Sequence, residues 1–230
     1  MLPQTMQQTN YPDIFIYNEE NPTLMSPNSP FEVPFAQTRE TLLDVETYKS
    51  FLDNAIKRFR QGKTYKHYKS HLMDMGLNRC HFHSNIHSSE DEEMATIEMH
   101  HHILTIFDIA LIITEHVLNT YGAITTFDLV EVLKIEHTKH DICTVMLCKT
   151  CHQMHHNDPN FYVPTFMGFG DWYTFLSKYR TGITRDIAMK ILFMLKKESA
   201  SSETNELNTL QLLSIRDNIL NWSEYNERFL

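Results

Sequence analysis

The chain has 230 residues, 42% of them hydrophobic, enough for a buried core, and a disordered or fibrous polypeptide is excluded. Twenty Lys and Arg against 29 Asp and Glu give a formal charge of −9, so a surface for nucleic acid has to be a local concentration of cations. The first ten residues carry neither a basic head nor an apolar run, and the most apolar stretch, 103–113, is cut by Asp108; no secretory signal and no membrane span are expected, and a reducing, cytoplasmic location is.

Residues 1–38 hold six of the eight prolines and show no helical or strand period, which reads as an extended arm able to reach a protein partner. A basic helical segment follows over 39–78. Tyr48, Phe51, Leu52, Ala55, Ile56 and Phe59 recur at three and four, predicting helices over 46–61 and 64–75 with Gly62 and Gly76 as punctuation. Lys57, Arg58, Arg60, Lys63, Lys66, Lys69 and Arg79 are seven cations against the single acid Asp74, a local charge of plus six. Such a run is either a solvated helix face or a surface that tracks phosphates, and Tyr65, His67, Tyr68 and His71 are interleaved with it.

The third segment, 79–160, opens with an acidic loop over 88–93 and a strand over 95–101. Thr105 with Asp108, and Thr125 with Asp128, are capping boxes that predict helices over 106–121 and 127–138, with Gly122 stopping the first. A second strand over 142–147 runs into a turn and a short helix ended by Asp158 and Pro159. The last segment, 161–230, predicts helices over 171–179, 184–197 and 206–222. Lys178, Arg180, Arg185, Lys190, Lys196 and Lys197 make a second basic stretch there. The expected fold is α+β and mostly α: a small zinc-stabilised β-hairpin nucleus with a helical-hairpin insertion and flanking helices.

All four cysteines and 12 of the 14 histidines lie between Cys80 and His156. In a reducing compartment these are metal ligands or inert core thiols rather than disulfides. Cys148 and Cys151 form a C-x2-C pair, and Cys80 with His83 forms a C-x2-H pair about 65 residues earlier. Two such knuckles supply four ligands for a tetrahedral structural Zn2+, with His81 and His87 as alternatives to His83. His152 and His156, four apart on a short helix, project from one face as two ligands of one ion must. His100, His101 and His102 follow each other on a strand, where neighbours face opposite ways, so they cannot all be ligands. His116, His137 and His140 fall in the inserted hairpin and read as structural, His140 also as a spare ligand.

Ile97-Glu98-Met99-His100-His101, paired with Leu147-Cys148-x-x-Cys151-His152-x-x-x-His156, resembles the HNH, or ββα-metal, nuclease motif with a zinc-knuckle pair, over about a third of the chain. The resemblance implies that His100, His152 and His156 hold a catalytic divalent ion (Mg2+, Mn2+, Ni2+ or Zn2+) and that His101 is the general base. The triple histidine leaves a second register open, with His101 and His102 as ligand and base. It further implies a metal-dependent phosphodiesterase acting on nucleic acid, DNA rather than RNA, of a phage or mobile-element type, at work in a host cytoplasm. Both basic stretches would grip the backbone. Two features depart from the pattern. The middle Asn of the motif falls on Cys143, with Asp141 beside it as the nearest carboxylate, and about 40 residues with two helices separate the strands. A chain that kept the fold and lost catalysis would instead be a zinc-stabilised module that binds nucleic acid, or one that binds a protein partner.

Overall fold

The structure, a computed structural model, describes residues 36–83, 85–86, 96–158, 161–199 and 213–222. The expected arm up to residue 35, the acidic loop and the first part of the last predicted helix lie outside the described residues. After a short strand β1 (Gln37–Thr38), helix α1 (Val45–Gln61) starts where the Asp44 carboxylate accepts the Thr47 N–H at 2.8 Å. Such a cap contributes about 1 kcal/mol. Phe51, Leu52, Ala55, Ile56 and Phe59 form its buried stripe, the set that the period marks. Gly62 ends it, and α2 (Lys63–Asp74) buries only Tyr68 and Leu72.

Strand β2 (Ile97–His101) pairs antiparallel with β4 (Thr144–Cys148), from Ile97 opposite Cys148 to His101 opposite Thr144. Between them are inserted α3 (Ile106–Tyr121), the two-residue strand β3 (Ala123–Ile124) and α4 (Thr126–Thr138), and β3 pairs with β1. Both capping boxes form, each Thr hydroxyl accepting the N–H of the Asp three residues on while that Asp accepts from the Thr N–H. Ten of the 16 residues of α3 are buried, so it is the axis of the larger core. Segments 42–59, 103–143 and 175–219 all contribute to that core. A turn at Arg180–Gly182 presses on α3 so closely that a Cβ on Gly182 would lie 1.9 Å from the Ile112 carbonyl oxygen, and only glycine fits.

Helix α5 (Lys149–Asn157) follows β4 without a loop, Cys148 being both the last strand residue and the N-cap. A second, smaller core of Tyr68, Leu72, Ile97, Val145, Met146, Leu147 and Val163 surrounds this strand-to-helix corner together with Cys80, Cys148 and Cys151. Helices α6 (Trp172–Lys178), α7 (Arg185–Ser199) and α8 (213–222) complete the described chain. Among the described residues the molecule is mostly helical with two small sheets, the α+β class expected, and no helix is long and apolar enough to cross a membrane.

Candidate metal centre

Two groups of ligand side chains converge on the β2–β4–α5 unit. In the first, Cys148 ends β4, Cys151 lies on the first turn of α5, and Cys80 and His83 come from the segment after α2. That segment is closed on itself by Cys80 N–H donating to the Ile86 carbonyl at 2.9 Å and Ile86 N–H to the His83 carbonyl at 2.8 Å. It is docked on the sheet by His81 N–H donating to the Met146 carbonyl at 2.9 Å. His83 Nδ1 stands 3.8, 3.9 and 3.3 Å from the sulfurs of Cys80, Cys148 and Cys151. A zinc tetrahedron with Zn–S of ~2.3 Å and Zn–N of ~2.0 Å has an S···N edge of roughly 3.5 Å, so the four side chains can hold one such ion. His81 is outside the group, and His87 lies outside the described residues.

The electrostatics agree. Burial works against the Cys80 thiolate, but hydrogen bonds from the Cys148, Phe82 and His83 backbones and the His83 ring outweigh it and bring the thiol down to about 7. Burial and the sulfurs of Cys148 and Cys80 push Cys151 up to about 12. A thiol raised in this way by its neighbours is deprotonated beside them only around a cation.

The second group is His100, His152 and His156, with ligand nitrogens all within 4.8 Å of one another. The two helix imidazoles face each other at Nε2 to Nε2 3.3 Å, the edge of a tetrahedron with ~2.0 Å bonds. His152 Nδ1 lies 2.7 Å from the Glu98 carboxylate, which holds the ring in the tautomer with its proton on Nδ1 and leaves Nε2 for a metal. Burial first, then the imidazoles of His155, His152, His156 and His102, bring His100 down to about 3, so its ring is neutral and ready to donate its lone pair. His100 is buried and His156 exposed, so the group is open on the solvent side.

The alternation of β2 decides the neighbours. Glu98, His100 and His102 share one face. His101 is turned to the other, where its Nε2 meets His137 Nε2 at 2.9 Å beneath α4. His137 Nδ1 is 2.6 Å from the Leu133 carbonyl and must donate to it, so His137 Nε2 is the acceptor and His101 Nε2–H the donor. The structure thus seats the expected base in the core, away from the three-histidine group. The second register fails in the same way, since it would make His101 a ligand. His155, to which the sequence assigns no role, has its ring 4.5 Å from that of His100. Cys143, at the usual Asn position, is buried, and its backbone carbonyl accepts the His102 N–H at 2.9 Å, so a main-chain bond ties down the end of β2. The carboxylate of Asp141 lies 3.7 Å from Lys178. His140 belongs to neither group and stacks on His71 with ring centroids 5.8 Å apart.

The two basic stretches behave differently. Lys57, Arg58, Arg60, Lys63, Lys66 and Arg79 are exposed and Lys69 is half-buried, and none of the seven is in an ion pair among the described residues. In the later stretch Lys178 is held by buried Glu136 at 2.6 Å and Lys190 by Asp108, so part of that charge is neutralised within the fold.

A family model described as bacteriophage G278-like virion protein matches residues 6–226. No curated protein and no solved structure matches. The match spans nearly the whole sequence, from before the first described strand to beyond the last described helix, and on that extent the chain belongs to the bacteriophage G278-like virion protein family.

Proposed function

We propose that this virion protein is a metal-dependent nucleic-acid phosphodiesterase of the HNH kind, acting on DNA, with a structural Zn2+ on Cys80, His83, Cys148 and Cys151. One observation carries the reading: His100, His152 and His156 meet within 4.8 Å on an antiparallel strand pair and the helix that follows it, apart from the cysteines. A divalent ion held by three neutral imidazoles keeps coordination positions open and supplies a Lewis acid for a phosphate oxygen. Glu98 orients His152, and burial keeps His100 neutral. Because His101 is on the wrong face, proton transfer falls to His155, whose Nδ1 is buried without a hydrogen-bond partner among the described residues. The exposed cations of α1 and α2 hold the backbone, and binding weakens steeply as salt rises, through release of counterions.

Hydrolysis of plasmid and single-stranded DNA under Mg2+, Mn2+, Ni2+ and Zn2+ tests this. His100→Ala abolishes cutting, His155→Ala slows it by roughly 10²- to 10⁴-fold, and His101→Ala, where the variant folds, retains it. The position of His101 and the Cys143 substitution favour one rival, a zinc-stabilised module that grips nucleic acid without cutting. Binding by the wild type with no cutting under any of the four ions selects that rival, and failure to retard DNA or RNA at low salt excludes both.

A further inference from the structure

The face of β2 that carries His100 continues into a cavity of about 260 Å3 beside the three-histidine group. His102 and His155 line it on one side, Phe161 and Tyr162 on another, and Phe193 and Lys197 come from α7. His155 is a shared wall, since its ring also touches that of His100. Tyr162 is fixed by its hydroxyl on the Glu198 carboxylate, which also accepts the Thr165 N–H at 3.0 Å. Lys197 Nζ lies 6.0 Å from the centroid of the Tyr162 ring and 5.1 Å from that of Phe193. Phe193 is 62% exposed, and Met189, one turn earlier on α7, is 59% exposed, so this edge of the helix presents apolar surface.

Two imidazoles of this wall, His102 and His155, each have an Nδ1 without a hydrogen-bond partner among the described residues. His102 Nε2 lies 3.2 Å from the Pro164 carbonyl oxygen and donates to it, which leaves Nδ1 as an acceptor. That Nδ1 is buried with no hydrogen-bond partner among the described residues. A buried acceptor left unpaired costs free energy that a ligand N–H would restore. Aromatic walls, a cation and one buried acceptor are what a nucleobase and its phosphate require. The volume falls below the ~300–1,000 Å3 of drug-sized pockets, so one base fits and a dinucleotide does not.

We propose that this cavity seats one unstacked nucleobase of the strand whose phosphodiester lies at His100, His152 and His156, an inference that rests on the phosphodiesterase reading above. Phe193 and Tyr162 take the faces of the base, His102 Nδ1 accepts one of its N–H groups, and Lys197 meets a phosphate. The substrate is then a single strand, or a duplex that gives up one base from its stack.

The test uses the full metal-loaded chain and a short phosphorothioate-linked strand, which resists hydrolysis, with 2-aminopurine at one internal position. The fluorophore is quenched on binding, and Phe193→Ala, at an exposed position, weakens single-strand binding roughly 5- to 100-fold and restores the fluorescence. Unchanged fluorescence on binding, or equal affinities for wild type and Phe193→Ala, overturns the proposal. So does 2-aminopurine deoxynucleoside monophosphate binding as tightly as the strand, because the site would then serve a free nucleotide. Failure of the phosphodiesterase reading is seen separately: an unmodified strand stays intact under every divalent ion while the quenching and the Phe193→Ala loss persist, and that pattern supports the base site by itself.

Discussion

The two ligand groups share helix α5 and have opposite characters. Cys80, His83, Cys148 and Cys151 make a complete set of four with three buried thiols, whereas His100, His152 and His156 make a set of three with one imidazole in solvent. A closed set has no position for a reactant and holds structure together; an open set keeps one. Cys151 and His152 are consecutive, so the closed group also aims the open one. On the proposed function, the architecture depends on the first and reactivity belongs to the second.

The severest way to break that division is Cys151→Ser. It removes a buried ligand and leaves two thiols crowded around an exposed imidazole, and we expect loss of both ions by elemental analysis and a fall in Tm of more than about 10 °C. Acid probes the scaffold between them. Burial, and for His116 also the nearby Arg180, holds His116 and His137 at about 4 against an ordinary 6.5, with the Leu133 carbonyl opposing the shift at His137. The unfolded chain therefore binds protons first, and stability that is complete above pH 6.5 is lost as pH falls toward 4, by on the order of 3 kcal/mol for each histidine. Urea unfolding at a series of pH values should show that slope, with a smaller one in His116→Gln. His100→Ala should remove one ion per chain and move Tm by only a few degrees, and a large fall would mean that the open group is structural after all. Glu98→Gln is the mildest: the Nδ1 partner of His152 loses its charge, and affinity for the second ion drops roughly 10- to 100-fold with the cysteine-held ion unaffected.

Much of the frame is legible in the chain because its signals are local. The capping boxes at Thr105 and Thr125, the stripe from Phe51 to Phe59 and the two-residue spacings at Cys80 and Cys148 each specify geometry over a single turn. The spacing of His152 and His156 does the same for one helix face. The alternation of a strand marks Glu98 and His102 as companions of His100, but which face meets the open group and which meets α4 depends on contacts across the fold. His101 meets a partner 36 residues away. The pairing of Lys178 and Lys190 is hidden from the sequence for the same reason, since their partners, Glu136 and Asp108, are 42 and 82 residues distant. The cavity is built from the two residues that follow β2, from α5, the segment after it and α7, and no short window of sequence contains it.

The long insertion between β2 and β4 has a consequence for how the protein is made. At roughly 5–20 residues per second a ribosome that has released Cys80 and His83 needs on the order of 3–13 seconds to deliver Cys148 and Cys151. Throughout that interval the nascent chain carries half a chelate, three unpaired histidines and a sheet edge with no partner, while α3 and α4, each capped by its own residues, are free to form. With the proposed zinc on those four ligands, maturation would end with the last strand closing over an ion captured late, and zinc starvation of the infected cell should appear first as chains that stall at this step and aggregate, rather than as finished particles lacking metal.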